Sequence, residues 1–570
     1  MKHDLAYNIK MMEQTRFETL VNITFGDLLD TQAARFPDND CLVMPHKNQR
    51  FTYAAFRDEC NRVARGMMAL GIQRGDHVAI WATNYIEWVT VMFATAKIGA
   101  VMVTVNTNYK RFELEYLLRQ SDSTTLVMTP GVKDNDYVAT LMELCPELAD
   151  SQPGQLSCQQ LPFLKNVIFL GEQRHPGMFL WSDLYELAEQ VCEEERAARQ
   201  NSLDTQDVVN MQYTSGTTGF PKGVMLTHHS VVNNGKAIGD RKRLTEIDRE
   251  CIPVPLFHCF GCVLGITSCM THGSTMVLVD HFHPERVMEA IEWERCTSVL
   301  GVPTMYISIL NHPKFTEYDF TSLRTGIMSG SPCPIEVMKQ VNEQMHMPEI
   351  VIPFGQTESS PVTTMTGTDD PIEKRVATVG RVQPNMEIKI VDPETGEECP
   401  PNVAGEFITR GYQVMKGYYK MPEATRQAID EDGWLHTGDL CSVDEEGYYH
   451  VEGRLKDMII RGGENIYPRE IEEFIYTHPE VSDVQVVGVP DKKYGEEVMA
   501  FVVPRPGAKA TEQDIIAFVK DGLSKFKAPR YVMFIDAFPM TASGKIQKYK
   551  LREIGVERLN LHEAANVETA

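Results

Sequence analysis

Residues 52–105 carry one pattern twice: a helix-spaced apolar stretch, a glycine, then a short apolar strand. Phe56, Cys60, Val63, Met67 and Leu70 recur at three- and four-residue intervals, which predicts a helix that Gly71 stops. Gly75 and Asp76 turn the chain into a strand at 77–81. A second helix spans 88–97, Gly99 ends it, and 101–105 form another strand. Helices joined to apolar strands in this way predict an α/β fold, a mostly parallel sheet covered by helices. At 570 residues, 43% hydrophobic and 24% charged, the chain can bury a sizeable core. These figures exclude disorder, collagen, coiled coil and a disulfide-stapled miniprotein.

The net charge of −24 repels nucleic-acid backbones and anionic membranes, so neither partner is expected. An anionic substrate must then be held by local donors and cations. The thirteen cysteines are odd in number and scattered, and residues 1–16 lack an apolar core of signal-peptide length. Reduced thiols in a cytoplasmic protein are the expectation. The longest apolar run, 88–105, contains Lys97 and Gly99, so no integral membrane segment is expected.

Residues 189–201, with Glu193, Glu194 and Glu195 in succession, read as an exposed helix or linker with a solvated face. Near residue 450 the texture changes to shorter elements punctuated by Gly, Lys and Glu: strands at 484–489 and 497–503, and a helix at 512–523. Val451 onward is read as a smaller α+β domain.

The strand at 208–213 runs into Thr214, Ser215, Gly216, Thr217, Thr218, Gly219, Phe220, Pro221, Lys222 and Gly223, and an apolar run follows. Glycines let backbone N–H groups approach an anion, hydroxyls donate further hydrogen bonds, and the lysine brings charge. By composition this is a polyphosphate cradle, although alone it also suits a Ser/Thr/Gly linker. It is not a Walker A loop, because Pro221 precedes Lys222 and no helix opens there, so no helix dipole holds the phosphate.

Other segments accompany it. Phe354, Gly355, Gln356, Thr357 and Glu358 follow an apolar strand; 433–440 place Asp439 at the end of a turn; 453–468 include Arg454, Lys456, Gly462, Gly463 and Glu464; and 539–546 contain Lys545. Together, in this order and spacing over residues 25–553, they resemble the adenylate-forming (AMP-binding) superfamily of acyl-CoA synthetases, adenylation domains and luciferases.

The resemblance implies a ligase that activates a carboxylate with ATP, releases pyrophosphate and passes the acyl group from AMP to a thiol. It implies a large N-terminal domain of several α/β subdomains at 1–452, a hinge at 453–456 and a small mobile α+β domain at 457–570. By the same match, Thr214, Ser215, Gly216, Thr217, Thr218, Gly219 and Lys222 wrap phosphates. Glu358 would bind Mg2+, with Thr218 a second candidate, and Thr357 would meet the α-phosphate. Gly330, Ser331 and Pro332, with Phe354, Gly355 and Gln356, would line the adenine. Phe354 stands where the family commonly has Tyr, which keeps stacking and loses a hydroxyl. Asp439 and Arg454 would hold the ribose. Lys545 would bridge the α-phosphate and the carboxylate during adenylation. With Lys456 as hinge, the small domain would then rotate to present Gly462, Gly463 and Glu464 for the thioester step. Thr214, Lys222, Glu358 and Lys545 are the candidate catalytic residues.

Pro255, Leu256, Phe257 and His258 resemble the acyl-site entrance, although a core aromatic beside a satisfied imidazole explains them equally well. Cys259 and Cys262 lack a second pair at zinc-finger spacing and read as pocket wall. His258, Gly261, Gly265 and Val302 are expected to line a small, apolar acyl pocket without a partner for a second carboxylate. A monocarboxylic acid follows, with fatty acids ahead of aromatic ones, and CoA is the default acceptor. The alternatives are a stand-alone ligase loading a carrier protein, an aryl- or other-acid CoA ligase, a luciferase-like oxygenase, and a catalytically dead nucleotide-binding scaffold. The last would be expected to lack Glu358 or Lys545. Homodimers are frequent in the superfamily, and acetylation of Lys545 would be a route of regulation.

Overall fold

The computed structural model describes residues 4–14, 17–214, 221–330, 333–454, 457–461, 464–491, 494–523, 525–541 and 546–561, without the side chains of Glu464 and Asn465. Helix Tyr53–Ala69 starts where Thr52 caps it, its hydroxyl accepting from the Ala55 amide at 3.2 Å, and Gly71 follows with φ +86°. Strand His77–Trp81 is wholly buried. Helix Ile86–Ile98 ends at Gly99, whose φ of +76° is left-handed, and strand Val101–Thr104 follows.

These elements belong to an eight-stranded sheet. From edge to edge it runs Gly417–Tyr418, Lys222–Thr227, Val208–Thr214, Val101–Thr104, His77–Trp81, Ser123–Met128, Asn166–Phe169 and Phe179–Leu180. From Val208–Thr214 to Phe179–Leu180 the neighbours are parallel; the two strands at the other edge are antiparallel. A second sheet of seven strands is parallel except for the edge strand Gln49–Thr52. The largest apolar core draws on both sheets and on helices Phe25–Arg35, Ile86–Ile98 and His228–Arg241 between them. Separate cores cover the outer faces, giving five alternating layers.

The acidic stretch is not a linker. Helix Glu193–Asn201 exposes Glu193, Glu194 and Glu195 but buries Arg196 and Gln200. Gln200 Nε2 donates to Asp27 at 2.7 Å and Asp30 at 2.8 Å, and the fully buried Lys97 ammonium lies 2.5 Å from Asp30. Burial raises the Asp30 carboxyl, but the Lys97 charge and the hydrogen bonds from Lys97 and Gln200 together outweigh it and hold the group below its usual value.

A four-stranded antiparallel sheet closes with strand Tyr449–Arg454, so Gly453 and Arg454, expected in the hinge, lie in a ladder with Leu440 and Asp439. Val451, read as the start of the small domain, is in the same strand. A five-stranded sheet then gathers Ile459–Arg461, Glu464–Ile466, Val481–Asp491, Gly495–Pro504 and Tyr531–Phe534, with helices Pro468–Tyr476, Glu512–Gly522 and Lys548–Arg558 around it and its own apolar cores. No helix among the described residues is long and apolar enough to cross a membrane.

Candidate active site

Strand Val208–Thr214 is central in its sheet, and its C-terminal end is where α/β sheets present ligand-binding groups. Thr214 pairs with Lys222 across the antiparallel ladder, so the chain leaves the sheet after one and returns at the other. Gly223 allows that return, because a Cβ there would lie 2.9 Å from Met211 Sδ and 3.1 Å from Tyr213 Cζ.

Glu358 is brought to this point by the strand Pro353–Gly355 and the turn Thr357–Ser359. Gly355 is obligatory: at φ +153° a Cβ would stand 1.9 Å from the Pro361 carbonyl oxygen. The Glu358 carbonyl accepts from the Met415 amide at 2.8 Å. Its carboxylate oxygen Oε1 accepts from Tyr418 Oη at 2.8 Å and from Thr214 Oγ1 at 3.3 Å. Lys222 Nζ stands 4.8 Å from the Tyr418 ring centroid. Three of the four candidate catalytic residues, Thr214, Lys222 and Glu358, thus converge around Tyr418, which sequence reasoning missed. Burial first, and then the Glu358 carboxylate, push the Tyr418 phenol well up, keeping it a donor. The run Lys416, Gly417, Tyr418, Tyr419 was the available signal, a glycine and aromatics beside a lysine.

Thr357 is buried, and its Oγ1 is 3.7 Å from Cys259 Sγ, which in turn lies 3.5 Å from His258 Nδ1. The Phe260 amide donates to the same Nδ1 at 3.2 Å, which makes it the acceptor nitrogen and puts the imidazole proton on Nε2. His258 is partly exposed beside the π-helical segment Phe260–Thr267. Within that segment the glycines serve packing. A Cβ on Gly261 would be 2.4 Å from the Pro255 carbonyl oxygen, and one on Gly265 would be 3.1 Å from Ile252 Cδ1. Val302 is buried, capping helix Pro303–Leu310. Cys262 Sγ accepts from Gln212 Nε2 at 3.0 Å. Behind it a cavity of about 10 Å3, room for one water, is lined by Phe25, Met92, Asn210, Gln212, Val231 and Cys262 among others.

Asp439 lies within strand Leu435–Val443 and not at a turn; Gly438, at φ +67°, bends the strand just before it. Its Oδ1 is 2.9 Å from Arg454 Nε, and its side chain is 6% exposed against 50% for the arginine. Thr437 Oγ1 donates to the Phe407 carbonyl at 2.6 Å, and the Phe407 ring meets Phe354 edge-on at 5.4 Å. Phe354 and Asp439 are thereby tied into one wall. Ser329 Oγ donates to the Pro353 carbonyl at 3.0 Å, which brings Gly330 (φ +91°) beside the same strand. Gln356 starts the Glu358 turn, its amide donating to Ser359 Oγ at 3.2 Å.

Ser215, Gly216, Thr217, Thr218, Gly219, Ser331, Pro332, Lys456, Gly462, Gly463, Lys545 and the Glu464 side chain lie outside the described residues. Met540 and Ile546, on either side of the Lys545 segment, form an antiparallel bridge.

The AMP-binding enzyme family matches residues 29–419, and the AMP-binding enzyme C-terminal domain matches 470–545. YngI of Bacillus subtilis, named as an acyl-CoA synthetase, is 54% identical over 542 residues, covering 95% of this chain and 99% of that protein. The mouse mitochondrial medium-chain acyl-CoA ligase ACSF2 is 43% identical over 549 residues, 95% of this chain and 89% of that one. The crystal structure of ATP-bound MatB from Rhodopseudomonas palustris superposes with a TM-score of 0.80 at 28% identity, covering 94% of this chain and 99% of that one.

Proposed function

The chain belongs to the AMP-binding enzyme family, and on that premise we propose that it is an ATP-dependent, AMP-forming acyl-CoA synthetase acting on a monocarboxylic fatty acid. The observation that carries this reading is the convergence of Thr214, Lys222 and Glu358 at the end of the central strand, with Tyr418 holding Glu358. A carboxylate oxygen of the acid attacks the α-phosphorus, the bond to the bridging oxygen breaks and pyrophosphate leaves. The thiol sulfur of CoA then attacks the acyl carbon, losing its proton, and AMP departs.

The first step brings two anions together, so the site has to neutralise and align charge. Lys222 supplies a cation and Thr214 a hydroxyl oxygen at the phosphate side, the single proton of that hydroxyl going to Glu358. Asp439 accepts from the ribose, with Arg454 holding its carboxylate, and Phe354 packs against the adenine. The donors to the Glu358 carboxylate among the described residues are both hydroxyls and both go to Oε1, so Oε2 suits a hard cation. Mg2+ held there, with Thr218 a second ligand, neutralises phosphate charge when bound. Lys545 belongs to the adenylation step and Gly462, Gly463 and Glu464 to the thioester step. The small domain turns between them about Lys456.

The medium-chain ligase among the relatives supports a medium-chain acid, and the place of Val302 and Cys262 in the main apolar core supports an apolar one. All thirteen cysteines are thiols, which supports a reducing compartment such as the cytoplasm. Incubation with ATP, Mg2+, CoA and acids from acetate to palmitate, benzoate and cinnamate tests the reading. A CoA-dependent acyl-CoA peaking at medium chain length is expected. Pyrophosphate without acyl-CoA would move the acceptor to a carrier protein, and no pyrophosphate with any acid would refute the function.

A further inference from the structure

Among the described residues one group of three metal-ligating side chains lies close enough to share an ion, and it is not at the site above. Cys145 Sγ, Cys158 Sγ and a carboxylate oxygen of Glu147 are all within 4.8 Å of one another. Cys259 and Cys262, the pair that spells a metal motif in the sequence, gather no third ligand among the described residues.

The local backbone assembles the group. Cys145 ends helix Tyr137–Leu144, its amide donating to the Leu141 carbonyl at 2.8 Å. Glu147 sits in the 3-10 turn Pro146–Asp150 that follows. Cys158 comes back from the loop before strand Asn166–Phe169, where its Sγ is 3.7 Å from the Leu144 carbonyl. The neighbouring Gln159 amide donates to Glu147 Oε1 at 3.0 Å. That bond orients the carboxylate, whose other oxygen, Oε2, is shielded from solvent, and the Cys145 and Cys158 thiols lie within hydrogen-bonding reach of the same carboxylate. Both cysteines are buried as well, in the core on the outer face of the eight-stranded sheet. Thiols are weak donors, and an ion between the carboxylate and the two sulfurs replaces those contacts with direct ligand bonds.

We propose that Cys145, Glu147 and Cys158 form a zinc site that staples the 145–158 loop to the end of its helix. Two thiolates and one carboxylate suit a borderline-soft cation; Mg2+ and Ca2+ avoid sulfur. A tetrahedral zinc with Zn–S bonds of about 2.3 Å spaces its sulfurs about 3.8 Å apart, so the group closes on the ion by side-chain shifts of at most about 1 Å. On binding, two S–H bonds break and two protons are released, two Zn–S bonds and one Zn–O bond form, and water takes the fourth position.

The test is metal analysis of the full-length protein, stripped with chelator, reloaded with Zn2+ and desalted. One zinc per chain is expected, absent from Cys145→Ser and Cys158→Ser and held at least about tenfold more weakly by Glu147→Gln. Replacement by Co2+ should give a thiolate-to-cobalt charge-transfer band that the two serine variants lack. If those variants fail to fold, alkylation of the wild type mapped by mass spectrometry replaces them: zinc should protect Cys145 and Cys158 and leave the exposed Cys192 reactive. No retained zinc, zinc retained equally by the serine variants, or no protection of these two cysteines would each overturn the proposal.

Discussion

Tyr418→Phe separates a residue that positions Glu358 from one that merely fills space. The substitution deletes one hydroxyl and leaves the ring, so Lys222 keeps its aromatic face at 4.8 Å. What is lost is the 2.8 Å bond to Glu358 Oε1. A hydrogen bond to an ionised acceptor contributes about 1.5–3 kcal/mol. At about 1.36 kcal/mol per decade that is about 10- to 150-fold in rate. Thr214 still donates to the same oxygen at 3.3 Å, a longer bond that retains part of the orientation, so the lower end of that range is expected. The assay is initial-rate pyrophosphate release with ATP, Mg2+ and acid varied separately. kcat/KM for ATP should fall about 10- to 30-fold and the Mg2+ requirement should rise. The KM for the acid should hold, as should CoA transfer from supplied acyl-adenylate. Tyr418→Leu should lose more, about 0.5–1 kcal/mol further, because the cation–π contact goes too. Because burial and Glu358 raise the phenol, it stays protonated where an ordinary tyrosine titrates. The ratio of wild-type to variant rate should therefore stay flat from about pH 7 to about pH 10. A loss below about threefold, or one carried by the KM for the acid, would refute the reasoning.

Lys545→Ala should abolish pyrophosphate release yet leave transfer from supplied acyl-adenylate to CoA largely intact; equal loss of both half-reactions would withdraw Lys545 from the adenylation step. Lys242 and Glu250 form an ion pair with both side chains fully buried. Lys242→Met should cost about 3–5 kcal/mol in denaturant unfolding by stranding the carboxylate, and adding Glu250→Leu should recover most of it. His228 is buried, its Nδ1 accepts from the Phe25 amide at 3.2 Å, and burial lowers its pKa from 6.5 to about 4. The unfolded chain takes up this proton as the pH falls through about 6.5, and the folded chain only near 4. Stability should therefore fall across that window by about 3 kcal/mol in total, and His228→Asn should flatten that part of the denaturation profile.

How far the sequence could be read follows the range of each interaction. The helices and strands of 53–104 rest on caps, glycine stops and apolar spacing within one element, and they lie where those signals put them. Asp439 shows where local reading stops. Gly438 looks like part of a turn, but the ladder to Arg454 makes the segment a strand, and no residue nearby announces that ladder. Gly261 and Gly265 read as room for a substrate because a missing side chain is visible in the sequence, whereas the atoms filling its place belong to other segments. The acidic helix has the same cause: its glutamates are visible, and the partners of its buried side, Asp27, Asp30 and Lys97, come from distant stretches.

Tyr418 is the sharpest instance, because its role depends on two registers at once. Thr214 stands opposite Lys222 in one ladder, and Val224 stands opposite Tyr418 in the next. Side chains alternate along a strand, so a slip of one residue in the second ladder would turn the Tyr418 hydroxyl to the other face of the sheet and away from Glu358. The edge strand carrying Tyr418 spans only Gly417–Tyr418, too short for alternation to fix its register. Backbone bonds flanking the strand fix it instead. The Lys416 amide donates to the Met225 carbonyl at 3.0 Å and the Tyr419 amide to the Gly223 carbonyl at 2.8 Å, while the Met415 amide donates to the Glu358 carbonyl. The segment that orients the Glu358 side chain is thus itself held by the Glu358 backbone, so the two are placed together or not at all.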